Sequence, residues 1–277
     1  MFKNAMKTAI LLSVLGALLM GIGAAVGGTS GLAIGLVLGL LFCGGSYWFS
    51  DKLAIKAARA EPVTREQAPG LYAMVEDLTQ RAGMPMPKLY ISPEQQPNAF
   101  ATGRSPQHAA VCVTDGITKV LTEDELRGVL AHELSHVRHR DILIGSVAAA
   151  VAMGITFAAR MAFWFGDDDN FVGGLLMMIL APIAAILIQM AISRSCEFSA
   201  DAGGAELLGT GEPLARALQK IDAYAHKVPM DVNPAEASNF IINPFSGRRS
   251  GLTKMFSTHP PTEERIRRLL AAAPATP

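Results

Sequence analysis

Hydrophobic residues fall into long uncharged stretches that alternate with polar segments. From Thr8 to Ser50 the chain has no charged residue, and Gly27–Gly31 interrupts this stretch with glycine, threonine and serine. A transmembrane helix needs about 20 apolar residues, and Gly and Ser favour turns. The pattern therefore predicts two N-terminal spans, at about 8–27 and 32–50. A cleaved signal peptide fits less well, because its apolar core is shorter.

A second pair of apolar runs covers Ile142–Phe165 and Phe171–Ile192. Arg160 interrupts the first run and Pro182 lies within the second. The pair forms either two further spans or a hairpin that is buried in the protein or lies at the bilayer interface. We favour two spans, since a charge near the end of a span can reach the interface and proline is tolerated in membrane helices.

The two apolar pairs divide the chain into four regions. Residues 1–50 form the first hairpin, residues 142–193 form the second pair, and residues 51–141 and 194–277 are two parts of one polar domain. This domain shows mixed α and β patterns. Helices are predicted at Pro69–Ala82, at 194–226 with a break at Gly209–Gly211, and at Thr262–Leu270. Strands are predicted at Lys88–Ile91, Ala99–Thr102 and Ala109–Val113. A loop is predicted at about 228–251.

Composition and charge narrow the class of protein. Half of the residues are hydrophobic, 17% are charged and the mean hydropathy is +0.30. The formal net charge is zero, which disfavours nucleic acid as a partner. Three cysteines are too few for a disulfide framework. Basic residues flank one side of the apolar pairs, and Asp167–Asp169 lies on the other, so the polar domain is predicted to face the cytoplasm.

The strongest chemical signal is His132-Glu133-Leu134-Ser135-His136. Thr122 and Glu125 form a predicted capping box that begins a helix here. On a helix His132 and His136 are one turn apart, so both imidazoles can bind one Zn²⁺. Glu133 is then placed to act as a general base. A five-residue match can also occur by chance on a charged helix.

A third ligand is expected in Arg194–Asp201, which follows the second apolar pair. Glu197 and Asp201 are four residues apart and share one face of a helix. Glu197 can complete a zinc site, and Asp201 can accept the N–H of a ligand histidine. The alternative is an ordinary solvated acidic face.

Four motifs in the same order resemble the HtpX membrane zinc metalloproteases: His132–His136, Arg194–Asp201, Pro97–Gly103 and Ser257–Pro261. The resemblance covers nearly the whole chain. It implies an α+β integral membrane protein with about four transmembrane helices and a mostly helical gluzincin-type metalloprotease domain that carries a small β-sheet. It also implies one Zn²⁺ per chain and an ATP-independent endopeptidase of the bacterial inner membrane, acting on misfolded or damaged membrane proteins.

The same resemblance assigns two further roles. Asn98, Ala99, Phe100, Ala101 and Thr102 would form an edge strand that binds extended substrate by strand addition, for which an internal strand is the alternative. His259 would stabilise the oxyanion, for which a solvated loop histidine is the alternative.

Gly31, Gly35 and Gly39 recur every four residues of the second predicted span. They allow close helix packing, within the chain or in self-association.

Other functions fit less well. An intramembrane protease would place its histidine motif inside an apolar span, whereas charged residues flank the motif here. Prenyl-protein proteases of the wider group have more spans than this chain can supply. A non-catalytic membrane scaffold or holdase would capture unfolded segments through the edge strand, but it would have no need of Glu133.

Overall fold

In the computed structural model the chain forms two compact units, residues 1–50 with 143–192 and residues 51–142 with 193–277. The structure describes residues 51–141, apart from position 53, residues 193–227, 241 and 260–271, and isolated helical positions between 6 and 48. Among these described residues, no helix is both long enough and apolar enough to cross a bilayer. The spans predicted at 8–27, 32–50, 142–165 and 171–192 lie outside the continuous ranges and stay predictions.

The second unit contains a four-stranded sheet. Its strands are β1 (Glu61–Pro62), β2 (Lys88–Ser92), β3 (Ala99–Thr102) and β4 (Ala110–Thr114), in the order β1-β2-β4-β3. Strands β2 and β4 are parallel, and the two outer pairs are antiparallel. The strand at Ala99–Thr102 has the predicted bounds. Strand β2 is one residue longer than predicted, and β4 begins and ends one residue later.

Helices pack against this sheet. They are α1 (Pro69–Ala82), α2 (Asp115–Val120), α3 (Glu123–His139), α4 (described over 193–208), α5 (Glu212–Lys227) and α6 (Thr262–Ala271). The domain is therefore mostly helical with a small sheet. The break between α4 and α5 lies at the predicted glycine pair.

Helix α3 begins and ends through local contacts. The predicted capping box is present: Glu125 N–H donates to Thr122 Oγ1 at 3.4 Å, and Thr122 N–H donates to Glu125 Oε2 at 2.8 Å. Such caps typically contribute about 1 kcal/mol. At the other end Arg140 adopts a left-handed conformation with φ of 60°, which ends the helix.

One hydrophobic cluster fills the space between sheet and helices. Alternate residues of a strand face opposite sides of the sheet, so Leu89, Val111 and Val113 point into the cluster. Helix α3 packs against α1, α5 and β3. Leu130 and Leu134, which are four residues apart on α3, are fully buried. This packing fixes the helix that carries the histidine motif.

Candidate metal centre

Helix α3 places two histidines and a glutamate in the interior of the domain. His132 and Glu133 are 2% and 6% exposed, and His136 is partly exposed. One helical turn separates the histidines, and their rings are nearly perpendicular, with an interplanar angle of 87°. The two Nε2 atoms are 3.2 Å apart. The motif therefore folds as its spacing predicts, with both imidazoles directed at one point.

Helix α4 brings a carboxylate to the same point. Glu197 is 7% exposed, with one oxygen 3.5 Å from His136 Nε2 and the other 3.7 Å from His132 Nε2. The nearest atoms of the three side chains all lie within 4.8 Å of one another. Residues 61 positions apart in sequence, His136 and Glu197, thus meet at one site.

Two adjacent glycines allow α4 to approach α3 this closely. A methyl group on Gly203 would overlap Oγ of the buried Ser135. A Cβ atom on Gly204 would lie 3.0 Å from the backbone nitrogen of His132. Larger residues would push the two helices apart, since packed interiors do not absorb an added methyl without movement. The distance between the histidines and Glu197 therefore depends on these glycines.

The three side chains fit a zinc ion. Two ligands bound tetrahedrally at the usual Zn–N distance are about 3.3 Å apart, which agrees with the 3.2 Å between the Nε2 atoms. Two imidazoles and one carboxylate also match the donor sets of catalytic zinc sites, which keep a further position for water. His132, His136 and Glu197 are thus the residues that would hold the metal.

A further carboxylate lies at the Nδ1 atom of each imidazole, on the side of the ring away from the candidate metal position. Asp201 Oδ1 lies 2.9 Å from His132 Nδ1, and Asp141 Oδ2 lies 3.5 Å from His136 Nδ1. A carboxylate at Nδ1 favours a proton there and leaves the Nε2 lone pair for a metal. Both aspartates are 4% exposed. Both rings are thereby oriented for metal binding.

Arg265 of α6 joins the two acidic residues of α4. Its side chain is 1% exposed and donates from Nη2 and Nε to the two oxygens of Asp201, at 2.7 and 2.9 Å. Nη1 lies 3.2 Å from Glu197 Oε2 and donates to the carbonyl of Ile241 at 2.8 Å. Burial opposes the charged form of Arg265, but the two carboxylates outweigh this effect and raise its pKa. The guanidinium therefore stays charged.

The site carries an excess of buried negative charge. Four carboxylates surround the imidazoles, whereas Arg265 is the only buried Lys or Arg side chain among the described residues; the carboxylates belong to Glu133, Asp141, Glu197 and Asp201. Burial opposes ionisation of His136, but contacts with Asp141 and Glu197 outweigh it and raise its pKa to about 10. Burying carboxylates is costly unless their negative charge is balanced. A divalent cation between the three ligands would balance this charge.

Glu133 differs from the other carboxylates in its contacts and in its pKa. Burial raises the pKa of its carboxyl group, and the charge of Glu197 adds to this effect. Its Oε2 accepts the backbone N–H of Ala101, on strand β3, at 2.8 Å. Glu133 therefore lies between the candidate metal ligands and a strand of the sheet.

Among the strands that the structure describes, β3 is at the edge of the sheet, as expected. Thr114 of β4 donates its N–H to Asn98 O, and alternation directs the backbone groups of Ala99 and Ala101 away from β4. The side chains of Ala99, Phe100 and Thr102 are buried, and Asn98 Oδ1 accepts the N–H of Ile241. An extended peptide at this edge would contact mainly backbone atoms.

The structure thus brings together most of the residues that the sequence singles out. His132, Glu133, His136, Glu197 and Asp201 form one cluster, and β3 borders it at Ala101. His259 lies outside the described residues, so its proposed position stays a prediction.

Two neighbours of the cluster were not assigned to it from sequence. Asp141 has no motif of its own, and only its place five residues after His136, just beyond the end of the helix, could have indicated it. The complete burial of Arg265 cannot be read from the sequence, because its helix carries many charged residues.

Comparisons with known proteins point to one peptidase family. Residues 65–273 match the family model described as peptidase family M48. The chain is 48% identical to a protease HtpX homolog of Pelotomaculum thermopropionicum, over 98% of this chain and 99% of the relative. It is 51% identical to a protease HtpX homolog of Methylibium petroleiphilum, over 98% of each chain.

A solved structure shares the fold. The crystal structure of S. mikatae Ste24p superposes with a TM-score of 0.57 at 18% sequence identity, covering 96% of this chain. This chain spans 62% of the Ste24p chain. At such low identity the likeness concerns the fold alone. On the match to the family model and on the near full-length identity to its HtpX relatives, the chain belongs to peptidase family M48.

Proposed function

We propose that this protein is a membrane-bound zinc endopeptidase in which water, rather than a side chain, attacks the peptide carbonyl. The observation that carries the proposal is the position of Glu133. Its carboxylate is next to both candidate metal-binding histidines and also accepts a hydrogen bond from the outer edge of β3. A general base at this position serves catalysis, and a purely structural metal site would not require it.

The chain's own residues have separate tasks in this reaction. His132, His136 and Glu197 hold the metal, and Asp201 and Asp141 orient the two imidazoles. When bound, zinc supplies Lewis acidity, which polarises a carbonyl and lowers the pKa of water. The raised pKa of Glu133 suits it to take a proton from the attacking water and to deliver it to the leaving amine nitrogen.

Substrate would bind as an added strand beside β3. The outward N–H and C=O groups of Ala99 and the outward C=O group of Ala101 can pair with the backbone of an extended peptide with little demand on its side chains. Ala101 N–H currently donates to Glu133, so peptide binding at this residue would bring the scissile segment close to the base. This mode suits unfolded chains, and we propose misfolded or damaged membrane proteins as the natural substrates.

The location that we propose is the bacterial inner membrane, with the catalytic domain in the cytoplasm. The uncharged run from Thr8 to Ser50, the apolar pair in 142–193 and the basic residues that flank them support it. His259 is our candidate for stabilising the oxyanion, by its place in the motif Ser257–Pro261. These two assignments derive from the sequence.

The test compares zinc content and proteolysis in the detergent-purified wild type and in Glu133→Ala, with reduced casein as substrate. We expect one zinc in each protein and at least a 100-fold slower cleavage in the variant, since general acid–base catalysis contributes about 10²- to 10⁴-fold. Glu123→Ala is the matched control, because Glu123 is an exposed glutamate of the same helix. A chelator should abolish cleavage by the wild type.

Each outcome separates the candidate functions. Cleavage that persists in Glu133→Ala, with zinc bound, would refute the proposed mechanism. Zinc in both proteins without cleavage in either would count against a broad endopeptidase and favour the scaffold.

A further inference from the structure

A cavity lies on the sheet face opposite the hydrophobic cluster. Leu89 and Val111 point into the cluster, so Lys88, Tyr90 and Ala110 face the other side. These three residues line a cavity of about 640 Å³. Its volume falls in the range of small-molecule sites, about 300–1,000 Å³. The cavity is not lined by His132, His136 or Glu133 of the metal centre.

The opposite wall of this cavity is the segment that leads into the domain. Ile55 and Lys56, in the helical residues 54–57, line it together with Lys52. This segment is fixed to the sheet, because Ser92 Oγ donates to the carbonyl of Ala58 at 2.6 Å. The cavity is therefore a defined cleft between a helical segment and a sheet.

The cleft is basic. Three lysines and His108 line it against a single acidic residue, Asp51; the lysines are Lys52, Lys56 and Lys88. Within the part of the chain that the structure describes, Lys56 and Lys88 form no ion pair. Both are exposed, so their ammonium groups are available to a ligand. Phosphate is a ligand that lysine binds well.

The cleft also has an apolar part, which a free anion would not need. Ile55, Pro62, Met86 and Tyr90 contribute to its lining. Met86 is one of the exposed large hydrophobic residues. A ligand with both an anionic group and an apolar chain would match the two kinds of lining.

The sequence places the cleft next to the predicted membrane anchor. Lys52 and Lys56 follow the uncharged run by two and six residues, since that run ends at Ser50. Basic residues just beyond a membrane helix attract anionic lipid, with about 1 kcal/mol from each lysine. We propose that the cleft binds the headgroup of an anionic glycerophospholipid, with Lys56 and Lys88 contacting the phosphate and with Ile55 and Tyr90 contacting the glycerol and the start of an acyl chain.

This inference rests on the membrane location proposed above and does not require peptidase activity. The test uses the full-length chain in mild detergent and native mass spectrometry to measure bound lipid. Dioleoyl phosphatidylglycerol is the anionic probe, dioleoyl phosphatidylcholine is the zwitterionic probe with the same acyl chains, and glycerol 3-phosphate is the soluble competitor. Casein cleavage, measured in parallel, reports separately on the proposed function.

The variant Lys56→Gln/Lys88→Gln should bind phosphatidylglycerol roughly 25-fold more weakly than wild type, since two lysines at about 1 kcal/mol each amount to that factor. The matched control is Lys119→Gln/Lys227→Gln, which removes the same charge from two exposed lysines that do not line the cleft. It should bind as wild type does. Lys56→Arg/Lys88→Arg should retain binding, which guards against a loss caused by misfolding.

Three results would overturn the inference. Equal retention of the two lipids would show that the headgroup is not recognised. An equal loss in the control variant would reduce the effect to overall charge. Displacement of the lipid by glycerol 3-phosphate at comparable concentration would identify a soluble phosphate site instead. Wild type that retains phosphatidylglycerol without cleaving casein would leave this inference standing and count against the proposed function.

Discussion

Replacing Arg265 by methionine tests how the charges of the site are balanced. The change removes a cation that is 1% exposed and leaves Asp201 and Glu197 without it. Breaking a buried ion pair by removing one partner costs about 3–5 kcal/mol. For a domain of this size such a loss corresponds to a fall of about 10 °C in melting temperature. A methionine is long enough to occupy part of the same volume, so the loss of charge dominates.

The assay is thermal unfolding of the purified full-length chain, with zinc and after chelation. The fall should be larger in the chelated protein, because a bound dication offsets part of the unbalanced negative charge. Arg267→Met is the control, since Arg267 lies on the same helix with a side chain that is 76% exposed. Exposed ion pairs contribute only about 0–1 kcal/mol.

A double variant tests whether the loss of stability comes from the contact between Arg265 and Asp201. Asp201→Asn removes the carboxylate that Arg265 contacts with two nitrogens. If the pair is energetically coupled, Arg265→Met/Asp201→Asn loses about 0.5–3 kcal/mol less stability than the two single changes together. Purely additive losses of stability would refute this account of the site. So would an Arg265→Met protein with the same melting temperature as Arg267→Met.

Three further predictions concern the ligands and the helix that carries them. Glu197→Ala should lose bound zinc and casein cleavage together, as measured by metal analysis and by proteolysis; retention of stoichiometric zinc would remove Glu197 from the ligand set. Gly203→Ala should cost about 1–3 kcal/mol through overlap with Ser135, whereas Gly70→Ala, which meets no atom within 4 Å, should leave the melting temperature unchanged or slightly higher. Thr122→Ala should lower stability by about 1 kcal/mol without loss of zinc, and an unchanged melting curve would show that the cap of α3 is dispensable.

Features that depend on neighbouring residues could be predicted from the sequence. Thr122 and Glu125 are three positions apart, so their capping box can be recognised without knowledge of the fold. The same holds for the one-turn spacing of His132 and His136. The order of the strands could not be predicted, because the pairing of β2 with β4 joins segments separated by a whole strand. Strand β1 has only two residues, which is too short to show an alternating pattern.

The outer part of the site escaped prediction for a physical reason. Asp141 reaches His136 only because Arg140 takes a left-handed conformation, which non-glycine residues rarely adopt. Arg265 lies on a short helix with many charged residues, and nothing in that pattern distinguishes the one buried arginine from its exposed neighbours. Both contacts are set by tertiary packing.

The site residues on α3 and those on α4 are stabilised in different ways. The histidines and Glu133 are held by a capped helix that is anchored in the hydrophobic cluster, so α3 does not need a metal to form. Glu197 and Asp201 come from a different helix, and their approach brings buried carboxylates together at a cost that Arg265 offsets only in part. A metal that binds only the folded site stabilises it by mass action. We therefore expect metal binding to stabilise chiefly the contact of α4 and α6 with α3, and to leave the sheet and the start of α3 almost unaffected.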